Sequence, residues 1–360
     1  MRTLLVAAGG GGDAIAAAAL SALLPGDAVG IATMAWDRLL IDPLPGPRKA
    51  ADFAGLERRH GWWRITTRSR PEAPAGSTLP RLAGEIPHPL VLLDPSDGAH
   101  GIRQQIEAAA TELHADDIRL VDVGGDLLGQ PGDAGLRSPF GDALTAAGCL
   151  ELPMVSWVAG PGLDGELSED TVCGRAGENS VSHTISPESW KPYLPTFGWH
   201  PTEATALLAA ATLGARGTVE IREAGLPVRL TERSPTVLEI GIDTVGDINP
   251  LISQLAGTRS FEDAERLAVQ LMGATELDAE RVKAARPRRQ QPPPTETISA
   301  LRSWETAARA RGIDFVTYRR LAEALHHPDV AALRAAVIAH QPERDTGLLW
   351  EVADHCTAER

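Results

Sequence analysis

Lysine is almost missing from this chain: of its 34 basic residues only Lys49, Lys191 and Lys283 are lysines. Chemistry that runs through a lysine Schiff base therefore has few candidates, and pyridoxal phosphate is disfavoured. Cysteine is equally scarce. Cys149, Cys173 and Cys356 are an odd number at wide spacing, without the CxxC pairs of a zinc site or the density of a disulfide scaffold. That usage fits a reducing cytoplasm, and no haem is expected. Long apolar runs are lacking as well. Ala14 to Leu24 ends at Pro25-Gly26, short of the roughly 18 apolar residues of a membrane span. The opening run Met1 to Ala8 is too short for a secretory apolar region and reads as a strand. Basic excess is absent: Lys+Arg 34 against Asp+Glu 48 leaves 34 − 48 = −14. Nonspecific attraction to nucleic acid or to anionic lipid is thereby disfavoured, and the expected partner is small.

What is present is a chain of 360 residues, 43% hydrophobic, enough for a substantial core. Thr3 to Ala8 reads as a strand, Gly9 to Gly12 as a loop, Ala14 to Leu24 as a helix and Ala28 to Thr33 as the next strand, which is a βαβ unit. Leu90 to Leu93, Ile118 to Val123 and Met154 to Val158 repeat the strand theme, with helical Gln104 to Leu113 and Phe140 to Ala147 between them. The expectation is a Rossmann-like, open, mostly parallel α/β sheet with helices on both faces. A helical stretch Glu203 to Leu213 precedes short β-rich runs at Val219 to Ile221, Val228 to Leu230 and Thr236 to Ile242. The proline-rich run 286–296 reads as a linker between residues 1–285 and a small helical appendage, 297–360, with helices at Ile298 to Arg311, Val316 to Leu325 and Val330 to His340.

The candidate chemistry gathers where strands end. Gly9, Gly10, Gly11, Gly12 and Asp13 lie between a strand and a helix, where glycines let backbone N–H groups approach an anion. The run has neither the Lys-Ser/Thr ending of a P-loop nor GxGxxG spacing. A tight turn with Asp13 as helix cap is the plain alternative. Asp122 and Asp126 flank Gly124-Gly125 after the strand ending at Val123, and Asp164 and Glu166 follow Gly160-Pro161-Gly162. Carboxylates beyond parallel strand ends can hold Mg²⁺, grip hydroxyls or act as general base. Asn179 with His183, and His200 with Glu203, add loop histidines, the residue type suited to proton transfer, expected to serve as the acid. Trp36, Arg38 and Arg48 could stack on a ligand and clamp an anion, or form surface ion pairs with Asp37 and Asp42. No GxSxG elbow and no clustered zinc ligands are present.

Val121-Asp122-Val123-Gly124-Gly125-Asp126, Ser138-Pro139-Phe140-Gly141-Asp142-Ala143 and Gly160 to Leu167, with the N-terminal glycine run, resemble a domain-of-unknown-function family, DUF1152, of archaea and actinobacteria. The resemblance would extend over about residues 1 to 330. It implies that the acidic strand ends form one site, and it carries over no activity and no catalytic residue.

These residues suggest an enzyme that acts on a small anionic metabolite, a phosphorylated sugar or nucleotide, by hydrolysis or group transfer, with Mg²⁺ as an optional cofactor. Two other classes fit the same residues: a metal-independent lyase or cyclase on a carboxylated or peptide substrate, and a noncatalytic nucleotide-binding regulatory module. The sequence leaves homo-oligomerisation open.

Overall fold

The computed structural model describes residues 1–352 apart from Asn179, Glu223 and 286–293. Five parallel strands form the centre: β1 (Arg2–Ala7), β2 (Asp27–Met34), β3 (Leu90–Leu93), β4 (Asp117–Val123) and β5 (Val155–Ala159). Their order across the sheet is β5-β4-β1-β2-β3. Leu4 to Ala7 and Leu90 to Leu93 are almost wholly buried, as runs covered on both faces must be. Antiparallel strands extend both edges. Thr236–Gly241 pairs with β5 and Val181–Thr184 lies beyond it, while Trp63–Ile65 pairs with β3 and is followed by Glu57–Arg58.

Helices cover both faces. α1 (Gly11–Leu20) and α4 (Ala204–Thr212) share one core with Leu5, Ala7 and Trp157. α2 (Gly98–Glu112) and α3 (Pro139–Cys149) pack on the other face with Leu4, Val6 and Val91. Alanines 14 and 16 to 19 give α1 its close approach to the sheet, and every one is buried. Burying each large side chain such as Leu4 or Ile31 contributes about 1.5–3 kcal/mol.

The β-rich runs after α4 divide between two sheets. Gly217–Ile221 and Leu226–Leu230 form a hairpin joined by Phe315–Thr317 and Leu349–Glu351 in a second, four-stranded sheet. Helices Pro294–Ala310, Tyr318–Ala324 and Val330–His340 pack around Leu301, Leu321, Val337 and Trp350, so the C-terminal segment is largely helical. One helix expected over 316–325 is shorter. Val316 pairs with the hairpin and Thr317 with Leu349 as strand, and the Thr317 side chain caps the helix that follows. Most of the expected 286–296 linker lies outside the described residues. Among the described residues no helix is long and apolar enough to cross a membrane.

Candidate functional site

β1 and β4 are neighbours at the centre of the sheet, but β1 hands on through α1 to β2 on one side, while β4 lies on the other. In order of appearance the strands run 3-2-1-4-5. Such a reversal opens a crevice beyond the carboxyl ends of the two central strands, where open α/β sheets hold ligands. A cavity of about 150 Å³ occupies that place, lined by Gly9 to Asp13, Trp36, Arg38, Asp126, Asp142, Asp164, His200, Glu203 and Arg222 among others.

The glycine run is less of a loop than its composition suggests. α1 begins at Gly11, with Gly10 as an extended N-cap residue and no capping side chain, so its uncapped first turn faces the cavity. Asp13 is not the cap. It sits in the first turn and reaches back to accept the Gly9 N–H at 3.0 Å. The small residues also serve packing: a Cβ on Gly10 would stand 2.4 Å from the Trp36 carbonyl oxygen.

Opposite α1 stand carboxylates from four other segments. Asp122 is on β4 itself, 1% exposed, and no N–H or hydroxyl donates to either of its oxygens, the Asp126 carboxyl being its hydrogen-bonding neighbour. Asp126 follows Gly124-Gly125, both at positive φ, which turns the chain back into the site. A Cβ on Gly124 would fall 2.4 Å from the Asp164 carboxyl carbon, so glycine there admits Asp164, whose Oδ2 is also buried without a partner. Asp142 enters from the first turn of α3, and Glu276 accepts the N–H groups of Phe140 and Gly141 at 3.1 and 2.6 Å. One oxygen each from Asp13, Asp122 and Asp142 lie within 4.8 Å of one another. Burial pushes Asp13, Asp164 and Glu276 up to about 7. Burial, then the negative charges around them, raises Asp122, Asp126 and Asp142 well above the usual carboxylate range.

Glu166, expected among the catalytic acids, has a different part. Its oxygens accept from the Arg137 and Ser138 N–H groups at 2.6 and 2.9 Å, from the Ser138 hydroxyl, and from Arg222 at 2.7 Å. Burial raises its pKa, and Arg222 with these donors outweighs burial, so it stays ionised. With its lone pairs engaged it holds Arg222 and is no base. Glu203 likewise accepts from Thr317 Oγ1 and the Arg222 N–H and pairs with Arg319 at 3.3 Å. Arg38 is exposed at the mouth, with Arg319 and Arg222 as its cationic neighbours. The Trp36 indole donates to Glu280 at 3.1 Å.

His200 lines the cavity, but burial lowers its pKa to about 3, which removes it as a cationic acid. Its Nδ1 accepts the Thr202 N–H at 3.3 Å, so the proton resides on Nε2, a buried donor without a partner. His183 lies apart on the edge strand Val181–Thr184, beside Glu239 and Trp157, and does not line the cavity. Arg48 does not line it either. Its guanidinium pairs with Asp42 at 2.8 Å and donates to the Pro45 and Gly46 carbonyls, bracing the proline-rich turn. Asp37 accepts from Thr78 and is engaged in the same region. Asn179 lies outside the described residues. Sequence reasoning missed Asp142, Arg222, Glu276 and Arg319. The Ser-Pro-Phe-Gly-Asp run around Asp142, one of the motifs that carry the family resemblance, was the one signal.

Sheet order, crevice and convergent charged groups define a doubly wound α/β protein with a charged cavity at its strand-order switch. Residues 4–284 match the family model described as Protein of unknown function (DUF1152), and the chain belongs to that family. The match stops short of the 330 that the resemblance suggested. No match was found among curated proteins or among solved structures.

Proposed function

We propose that the protein is an enzyme acting on a small anionic metabolite, a phosphorylated sugar or nucleotide, by hydrolysis or group transfer. The observation that carries this reading is the meeting, in one cavity at the switch point, of an uncapped helix N-terminus with buried polar atoms that have no partner: Asp164 Oδ2 and His200 Nε2. Unpaired buried polar groups are costly, and they persist in folds where a ligand or a reaction uses them. The first-turn amides of α1 and the guanidinium of Arg38 bind the anion. Neutral His200 donates from Nε2 to a ligand oxygen and stays uncharged throughout. Asp164, held near pH 7 by burial, takes the proton from the attacking water or hydroxyl, and protonated Asp126 returns one to the leaving oxygen.

A thermal-shift series with nucleotides and sugar phosphates tests the binding half of this reading. At least one phosphorylated ligand should raise the midpoint, because only the folded chain binds it. Arg38→Ala, at an exposed site, should leave the unliganded midpoint unchanged and weaken that ligand about tenfold. A full panel without a shift would remove the anion site.

A further inference from the structure

We propose that Asp13, Asp122 and Asp142 bind a single divalent cation of the Mg²⁺ or Mn²⁺ type, and that the phosphorylated ligand enters as its complex with this ion. The proposal deepens the function above and rests on it for the ligand. The ion itself can be tested with no ligand present.

Three segments distant in sequence deliver these carboxylates: the first turn of α1, the strand β4 and the first turn of α3. One oxygen of each falls within 4.8 Å of the others. Oxygens around an octahedral ion at about 2.1 Å stand about 3 Å apart when adjacent and about 4.2 Å when opposite, so the triad needs little adjustment to share one ion. Gly9 makes the closure possible. A Cβ at that position would lie 2.8 Å from both Asp13 Oδ2 and Asp142 Oδ1, between two of the ligands.

Proximity of acids alone would be a weak argument, but Asp122 supplies a separate one. It is 1% exposed, within the central sheet, and no N–H or hydroxyl donor reaches either of its oxygens or Asp142 Oδ1; the hydrogen-bonding side chain beside both residues is another carboxyl, Asp126, whose one proton cannot serve them all. The polar neighbours of Asp122 are themselves carboxylates: Asp126, Asp142, Asp13 and Asp164. Leaving a buried polar group unpaired costs about 1–3 kcal/mol, and more for a charged one. A cation is the partner that answers all of them together.

The donor set selects the ion. It is all oxygen, with neither cysteine nor histidine in the group, which disfavours zinc. Three protein ligands are too few for the six to eight oxygens that Ca²⁺ gathers, whereas Mg²⁺ keeps open positions for water and phosphate. Those positions resolve an electrostatic conflict. A phosphate on the α1 N-terminus would stand beside Asp13 and Asp142, and the bridging ion turns that repulsion into attraction.

The test is titration of the full-length protein with MnCl₂ alone, read by electron paramagnetic resonance and calorimetry. One Mn²⁺ per chain is expected, competed by Mg²⁺. Asp122→Asn and Gly9→Ala should each weaken it about tenfold or more, and Asp243→Asn, exposed and outside the cavity lining, should leave it unchanged. Circular dichroism separates loss of the site from loss of the fold, and Asp142→Asn supplies a second ligand variant. No bound Mn²⁺ in the folded wild type, or binding indifferent to both ligand variants, would overturn the site. Ligand shifts that persist undiminished in EDTA would overturn the proposed complex while leaving the anion pocket standing. Mn²⁺ binding with no phosphorylated ligand would do the reverse to the function above.

Discussion

At Asp164 and His200 burial acts in opposite directions, and the sign of each effect fixes a pH dependence. Asp13, Asp164 and Glu276 have folded pKa values of about 7, against 3.8 for an ordinary Asp and 4.5 for Glu. Raised folded values favour the folded state at low pH, and that advantage is lost as pH rises through the window from about 4 to about 7. His200 runs the other way. Its folded value of about 3 lies below the ordinary 6.5, so it withdraws stability as pH falls through that interval. Three carboxyls outweigh one imidazole. In EDTA the melting midpoint should therefore be higher at pH 5.5 than at pH 8, and Asp164→Asn should narrow the gap. A flat profile, or a gap indifferent to that change, would show that burial does not hold these protons. Little of this was legible beforehand. Asp126 and Asp164 were marked by glycines at strand ends, but His200 looked like a loop histidine, because the depth that neutralises it comes from chain segments remote in sequence. Arg222 gave no signal at all; it follows an ordinary short strand and owes its place to Glu166 and Glu203.

Among the elements, glycine separates local preference from packing. Gly10 precedes α1 with no room for a methyl group against the Trp36 carbonyl, whereas Gly174 is exposed inside the helix Glu169–Ala176 with nothing within 4 Å of a Cβ. Gly10→Ala should destabilise by about 1–3 kcal/mol, since backbone must move to admit it. Gly174→Ala should stabilise by about 0.5–1 kcal/mol, the ordinary helical preference. Urea denaturation checks both, and equal effects of one sign would contradict the packing at α1. Periodicity revealed β1, α1, β2, β3 and β4 to within a few residues because each buries a continuous apolar stripe. It failed at Val316-Thr317. There a strand of three residues forms between the hairpin at 217–230 and Leu349–Glu351, remote partners that no local pattern can report.

Across the whole molecule the site is a consequence of strand order. Asp13, Asp122 and Asp142 meet because β4 lies beside β1 and not beside β3, and that adjacency brings the first turns of α1 and α3, from opposite faces, together beyond the strand ends. The run of parallel strands was readable; their order was not, since several windings satisfy the same apolar pattern. The C-terminal segment lies beyond the family match, yet it sets Thr317 and Arg319 against Glu203 on the cavity wall. The central claim is that this cavity turns over a phosphorylated small molecule. Its most direct test is phosphorus NMR of the full-length protein incubated with pooled sugar phosphates and nucleotides in Mg²⁺, beside Asp164→Asn. Conversion of at least one compound by the wild type, lost in the variant while binding of that compound persists, is the expected result. A pool left unchanged by the wild type, or converted equally by Asp164→Asn, would contradict it.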